Sequence, residues 1–365
     1  MKAVVEFYGR EMTLTSASGR ERLAVSDRYP ASPLSGFLFS QFGLMHLVAA
    51  KLPRVVYSNF LVAPPTRRLI ARMYASERRR EPRFIEMVDA LFDFEPKNIR
   101  RPSPDRVAIS YSGGKDSIWN LWRAEQKYGS ANALAVHIHG LNRANSSREL
   151  RFAKRQAKKF PIPNFKTIKI VNGSAQKGYS VMRSRDIFMV GLIIPLALDF
   201  GASQIWIEGF AETSPGEPFS GQEREMRRFN RTLRELGLPI AVAWKNRQEM
   251  AVVKDLAVSR PEWLAGVCNC FSMPNYQIPI SQSWERNAPS FTLFESQCGS
   301  CVKCRITNLG RLLYDPKFNP SPEDARYFVR TTVRWVKRRK HDLGDMIEGS
   351  FADDLKRAVK KFGVA

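Results

Sequence analysis

Arg106 to Trp122 reads RVAISYSGGKDSIWNLW, and the change of pattern inside it decides the fold. Val107–Tyr111 is an apolar run that predicts a strand, and the residues from Lys115 onward predict a helix. Between them stands Ser112-Gly113-Gly114. Two glycines let the backbone turn tightly and approach an anion with no Cβ in the way. The free N–H groups at a helix start, reinforced by the helix dipole, then hold phosphate. Lys115 adds a point charge, and Ser112 and Ser117 add hydroxyl donors. Asp116 would repel phosphate, which leaves it magnesium coordination or pinning of the loop. A purely structural turn capped by Ser and Asp is the bland alternative; the whole hexapeptide in a strand–loop–helix context argues against it. The Gly-x4-Gly-Lys-Ser/Thr spacing of a P-loop is absent.

Outward from this stretch the α/β alternation continues. Ala133–His139 predicts a strand, Ser147–Phe160 a basic helix, Lys166–Val171 a strand and Asp186–Phe200 an apolar helix. Gln204–Glu208 predicts the next strand, Gln222–Leu236 a helix and Ile240–Trp244 a last strand. Such alternation predicts a parallel sheet with helices on both faces. Ligands in these sheets lie at the carboxyl ends of the strands, where the strand order reverses. Upstream, residues 1–30 predict a β-meander (Ala3–Tyr8, Met12–Thr15, Arg22–Val25). Residues 35–95 predict helices from the spacing in Phe37–Leu47 and Phe84–Phe94, and the proline-containing Glu95–Asp105 predicts a linker. The expected organisation is a small N-terminal α+β accessory domain over 1–100 and the α/β domain over 105–260. A cysteine-bearing region with a charged helical tail then fills 261–365.

With 44% apolar and 25% charged residues the chain has the composition of a globular protein. No run reaches the roughly 18 unbroken apolar residues of a membrane span. Ile187–Leu198, the longest, contains Gly191 and Pro195 and predicts a buried helix. The N-terminus lacks the apolar core of a signal peptide, so a cytoplasmic protein is expected. A net charge of +23 draws polyanions and brings a tRNA or DNA partner into consideration. ATP is itself a polyanion, however, and the basic runs Arg78–Arg80, Arg151–Lys159 and Lys337–Lys340 mostly lack interleaved aromatics.

All five cysteines follow residue 267, as Cys268-Asn-Cys270 and Cys298-Gly-Ser-Cys301-Val-Lys-Cys304. In a cytosolic chain this clustering argues for metal before disulfide. Thiolates spaced Cys-x-x-Cys on a turn converge tetrahedrally on zinc, and Lys303 and Arg305 would offset the charge of a four-thiolate site. An iron–sulfur cluster uses the same ligands, and unrelated buried cysteines are the bland alternative.

The Ser112–Ser117 hexapeptide resembles the SGGxDS signature of PP-loop ATP pyrophosphatases. These enzymes split ATP between the α and β phosphates and adenylate an acceptor oxygen, which an amine or sulfur nucleophile then attacks. The resemblance implies an adenine nucleotide alpha-hydrolase-like (Rossmann-like) fold, with AMP and pyrophosphate as products. With a cysteine cluster near the end of the α/β region, the chain resembles 7-cyano-7-deazaguanine synthases, which make a deazapurine nitrile from a carboxylate, ammonia and ATP. Ala135–Ala153 (AVHIHGLNRANSSRELRFA, with Glu149), Arg185-Asp186 before the apolar helix, and Gly201–Gly209 (GASQIWIEG) are similar to family stretches. Cys-Asn-Cys270-Phe is close to the family's Ser-Cys-Tyr, which makes Cys270 the fourth ligand. The likeness covers about residues 105–312. Three features depart from it: Lys115 stands where the synthases usually have Leu, Arg183-Ser184 replaces Pro-Gly, and a long insertion separates Cys270 from Cys298. The first hundred or so residues have no counterpart.

The resemblance implies ATP, magnesium and zinc as cofactors and a 7-deazaguanine carboxylate as acyl substrate. Ammonia, or a tRNA, DNA or protein amine in nucleic-acid modification or anti-phage defence, would be the acceptor; no membrane is involved, and a homodimer is compatible with it. ATP would bind at Ser110, Tyr111, Ser112, Gly113, Gly114, Lys115, Asp116 and Ser117. Lys115, Asp116 and Arg185 are candidate catalytic residues, and Arg185, Glu208 and Glu212 candidate substrate contacts. Cys270, Cys298, Cys301 and Cys304 are candidate ligands of a helical zinc-binding region, with Cys268 as the alternative fourth. His137 and His139 read as packed strand histidines before catalytic ones, and Trp119 and Trp122 as core. Two other functions remain open: a tRNA-modifying thiolase or amidotransferase, and a nucleotide-binding module without catalysis.

Overall fold

The computed structural model describes residues 1–76, 81–87, 99, 101–140, 146–160, 162–171, 179–209, 223–246, 249–267, 302–343 and 349–364. The chain opens with strands β1 (Lys2–Tyr8), β2 (Glu11–Ser16) and β3 (Gly19–Ala24), the expected antiparallel meander. Ala3, Val5 and Phe7 point inward at the period of two that a half-buried strand requires. Helix α1 (Pro33–Lys51) starts where the Ser32 Oγ accepts the Ser35 amide and Pro33 supplies a preset φ. Strand β4 (Val55–Ser58), helix α2 (Pro64–Ser76) and strand β5 (Arg83–Glu86) follow. Both strands fall in the region whose spacing predicts helices, and Arg83–Glu86 overturns the start of the expected Phe84–Phe94 helix; residues 88–98 lie outside the described residues. The first sheet is mixed, in the order β3-β2-β1-β4-β5, with β1, β4 and β5 parallel.

The second sheet is built from β6 (Ser103–Ser110), β7 (Ala133–His139), β8 (Asn164–Lys169), β9 (Ala202–Gly209) and β10 (Ala241–Asn246). All its pairs are parallel, in the order β10-β9-β6-β7-β8. The crossovers are α3 (Lys115–Tyr128), α4 (Ser146–Lys159), α5 (Tyr179–Phe200) and α6 (Glu223–Glu235). Helices α3 and α4 cover one face, α5 and α6 the other, giving a doubly wound arrangement compatible with a Rossmann-like fold. All five expected strands are present. Strand β6 begins inside the stretch read as linker, and a register shift between Ser103 and Val107 accommodates Pro104.

Helices α7 (Glu249–Ser259), α8 (Pro261–Ala265), α9 (Val302–Tyr314), α10 (Pro322–Leu343) and α11 (Ser350–Phe362) extend the α3/α4 layer. Phe328 and Val329 of α10 and Phe351 and Leu355 of α11 are buried in that layer, so the charged tail is integral to the core.

The two sheets share a core. Helix α1 is apolar around most of its circumference because it is covered on both sides, by the first sheet and by α5 and α6. Phe42 stacks edge-on to Phe229 of α6 at 5.5 Å, and Phe39 lies 6.1 Å from Phe188 of α5. Gly191 makes the approach possible, since a Cβ there would lie 2.4 Å from the Phe42 ring. Where β3 and β8 end, an antiparallel bridge between Val25 and Ile170 ties the sheets, with the Val171 amide donating to the Ala24 carbonyl at 2.8 Å. Among the described residues no helix is long and apolar enough to cross a membrane.

Candidate functional site

The chain leaves β6 and β9 in opposite directions although the two strands are neighbours, so a crevice opens at their carboxyl ends. Strand β6 delivers Ser110–Ser117 to it and β9 delivers Glu208. The loop is closed on itself. The Ser117 Oγ accepts the Gly113 amide at 3.0 Å and donates to the Gly114 carbonyl at 3.0 Å, while the Ser112 Oγ accepts the Gly114 amide at 3.2 Å. Gly113 sits at φ +82°, and a Cβ there would lie 2.6 Å from Gln156 Oε1, so both conformation and space demand glycine. Gly114 holds the N-cap position of α3 and supplies no side-chain cap. The first-turn amides of α3 are therefore left for another acceptor.

Gln156 of α4 braces the loop from behind. Its Nε2 donates to the Gly113 carbonyl at 2.9 Å and the Gly266 carbonyl at 2.6 Å, and its Oε1 accepts the Tyr111 hydroxyl at 2.9 Å. His137 stands beside it with Nδ1 2.9 Å from the Tyr111 carbonyl; a carbonyl only accepts, so Nδ1 carries the proton. Burial pushes this imidazole down to about 4, against the hydrogen bond to Tyr111, so it is neutral at pH 7. His139 stacks on it at 6.0 Å.

A chain of alternating charges runs away from the loop. The Lys115 ammonium is 0% exposed and donates to both carboxylate oxygens of Asp116, at 2.9 and 2.7 Å. It also lies 3.4 Å from Glu249 Oε2, and the other oxygen of Glu249 accepts from Lys303 at 2.8 Å. Burial alone would raise the Glu249 carboxyl, but Lys115 and Lys303 outweigh it and hold it at about 2. Burial would lower the Lys303 ammonium, and Glu249 followed by Asp116 raises it instead. Glu208 reaches solvent at the crevice mouth, yet the surrounding protein limits its hydration. That desolvation and then Asp116 push it up to about 7, against Lys303 and Lys115. Arg185, expected ahead of the apolar helix, lies inside it, since α5 already starts at Tyr179; it pairs with Asp186 through Nη2 at 3.0 Å and Nε at 3.1 Å. His46 of α1 stacks at 5.2 Å on Phe188, three residues along α5 from Arg185, which places the N-terminal unit beside the site; burial and then Arg185 push that imidazole down to about 4.

The structure thus brings Ser110–Ser117, Arg185 and Glu208 to one end of the sheet. Glu212, Cys268, Cys270, Cys298 and Cys301 lie outside the described residues. Cys304 is buried in the first turn of α9, next to Lys303. Among the described residues no group of three or more His, Cys, Asp or Glu is placed to hold a metal. Lys303 and Arg305, read from sequence as counter-charges to thiolates, have other engagements: Lys303 on Glu249, and Arg305 on the Thr332 hydroxyl at 2.8 Å and over Trp335 at 5.1 Å. Sequence reasoning missed Gln156 and Glu249. The one signal for Glu249 is its place in the first turn after the last strand of the sheet. No family model matches the chain, and no curated protein does.

Proposed function

We propose that the chain is a PP-loop ATP pyrophosphatase of the adenine nucleotide alpha-hydrolase-like class, acting as an ATP-dependent C–N ligase. The carrying observation is the Ser112–Ser117 loop at the switch point, turned by Gly113 and opening on the uncapped first turn of α3. That is the local construction an anion needs. In this reading the loop amides and the Ser112 and Ser117 hydroxyls hold the β and γ phosphates. Arg185 holds the α-phosphate or the substrate carboxylate. The acyl carboxylate oxygen attacks the α-phosphorus, pyrophosphate leaves, and an amine then displaces AMP to form an amide. Conversion to a nitrile needs a second adenylation, of the amide oxygen. Asp116, at the start of α3, and Glu208, at the end of β9, would be the oxygen ligands of a magnesium ion. The ion would supply charge neutralisation on the phosphates and would compete with Lys115 for Asp116. Cys304, with Cys270, Cys298 and Cys301, would hold a structural zinc.

The test is release of AMP and pyrophosphate by the purified protein, with and without 7-carboxy-7-deazaguanine and an amine, alongside metal content and visible absorbance. Stimulated release from a colourless zinc protein is expected. A brown protein inert to the deazapurine but active with tRNA would replace this reading with a tRNA-modifying one. ATP binding without AMP under any acceptor would leave a nucleotide-binding module.

A further inference from the structure

We propose that the outer face of α4 and the edge strand β8 form a docking surface for a nucleic-acid strand, reaching the rim of the crevice. The two elements carry eight Lys or Arg and a single acidic residue, Glu149. Helix α4 turns Ala153 and Gln156 inward and exposes Arg151, Lys154, Lys158 and their neighbours outward. Arg151–Arg155, Lys154–Lys158 and Arg155–Lys159 are all like-charge pairs at i,i+4, an arrangement that works against the helix. Arg151, Lys154, Lys158, Lys166 and Lys169 are exposed, and none of the five makes an ion pair among the described residues. Lysine on an edge strand also discourages edge-to-edge pairing, which accounts for Lys166 and Lys169 but not for α4.

Position gives the surface its meaning. Lys154 of α4 and Lys169 of β8 both stand near His139, at the carboxyl end of β7, and their charges add to burial in lowering that imidazole. The inner face of the same helix braces the phosphate loop through Gln156. One helix therefore supports the crevice with one side and presents exposed cations, Arg151, Lys154 and Lys158 among them, with the other. A mononucleotide fills only the crevice, so a ligand that uses both is a longer phosphodiester. An acidic protein fits less well: protein interfaces are anchored by apolar or aromatic side chains, and from Leu150 to Lys159 of α4 every exposed residue is Lys or Arg. The surface stands on geometry alone; its use as the platform for a nucleic-acid acceptor rests on the ligase reading.

The experiment is fluorescence anisotropy of a short fluorescein-labelled single-stranded RNA and its DNA equivalent, titrated with the full chain across a salt series and without ATP. Binding should weaken linearly in log–log form with a slope of about −0.7 per phosphate contacted. Lys154→Glu/Lys158→Glu should weaken it by tenfold or more at fixed salt and make the slope shallower by about 1.4. Lys166→Glu/Lys169→Glu should act in the same direction, which covers the case in which one variant misfolds. Lys360→Glu/Lys361→Glu, the same charge change on exposed residues of α11, should leave both quantities unchanged. No binding, equal effects from α4 and α11 variants, or tighter capture of labelled polyglutamate through the same residues would overturn the proposal. Equilibrium dialysis of ATP keeps the two readings apart. Failure to bind ATP would sink the proposed activity and leave the surface standing.

Discussion

Gly113 carries two constraints at once, a positive φ and a side-chain neighbour at contact distance. Gly113→Ala is expected to lower stability by about 1–3 kcal/mol, the range for a strained backbone position, and, under the proposed activity, to remove ATP binding; a thermal melt and dialysis check each half. Glu249 is a different kind of dependence. Glu249→Gln removes the carboxylate that two buried ammonium groups face, and losing one partner of a buried pair costs about 3–5 kcal/mol. The sign with pH follows from its depressed pKa. Its stabilisation is fully present above the ordinary value of 4.5 and is lost as pH falls towards about 2. The wild-type advantage over Glu249→Gln should therefore shrink across that window in urea melts. Residues of the first kind were legible in the sequence, because the hydrogen bonds that close the loop on itself, among Ser112, Gly113, Gly114 and Ser117, span five positions or fewer. Glu249, Lys303 and Gln156 were not. Lys303 meets Glu249 across 54 positions and Gln156 meets Gly113 across 43, and no local pattern reports such a meeting.

At the scale of elements the pivotal packing is α1 on α5. A methyl group at Gly191 would meet the Phe42 ring at 2.4 Å, whereas one at Gly43, on α1, would meet Leu23 and Met12 at 3.4 to 3.6 Å. Gly191→Ala should destabilise by about 1–3 kcal/mol through overpacking. Gly43→Ala should be neutral or stabilise by up to about 1 kcal/mol, from helix propensity. Chemical denaturation of both variants tests the pair, and equal effects would mean that the helices are free to separate. The sequence predicted α1 and α5 as apolar helices without their partnership, because a helix apolar all round announces burial and not its neighbour. Strands β4 and β5, four residues each, were invisible for another reason. A run that short completes neither a strand nor a helix period, and pairing decides it: β1 with β4, and β4 in turn with β5.

The whole molecule is expected to unfold as one cooperative body, since a continuous core joins residues of the first sheet to α5, α6 and the second sheet. Removing residues 1–100 would uncover the apolar side of α5, including Phe188 and Ile187, so the shortened chain is expected to aggregate, as light scattering would report. Acid should act on the same body as a unit. His46, stacked on Phe188 at 5.2 Å between the two layers, is pushed down to about 4 by burial and then by Arg185. His137, under the Ser112–Ser117 loop, is pushed down to about 4 by burial. Both are neutral in the folded chain below the pH at which an unfolded histidine, near 6.5, takes up its proton. The unfolded state then binds more protons, so the stability these two rings contribute is complete above pH 6.5 and is lost as pH drops towards 4. The two histidines lie in different layers, so their variants should add. His46→Phe keeps the ring on Phe188 and removes the titration; it should flatten the acid limb of melting temperature against pH, and so should His137→Gln. The double variant should flatten it by the sum. A limb unchanged in all three would show that other groups, and not these two buried rings, set the acid sensitivity.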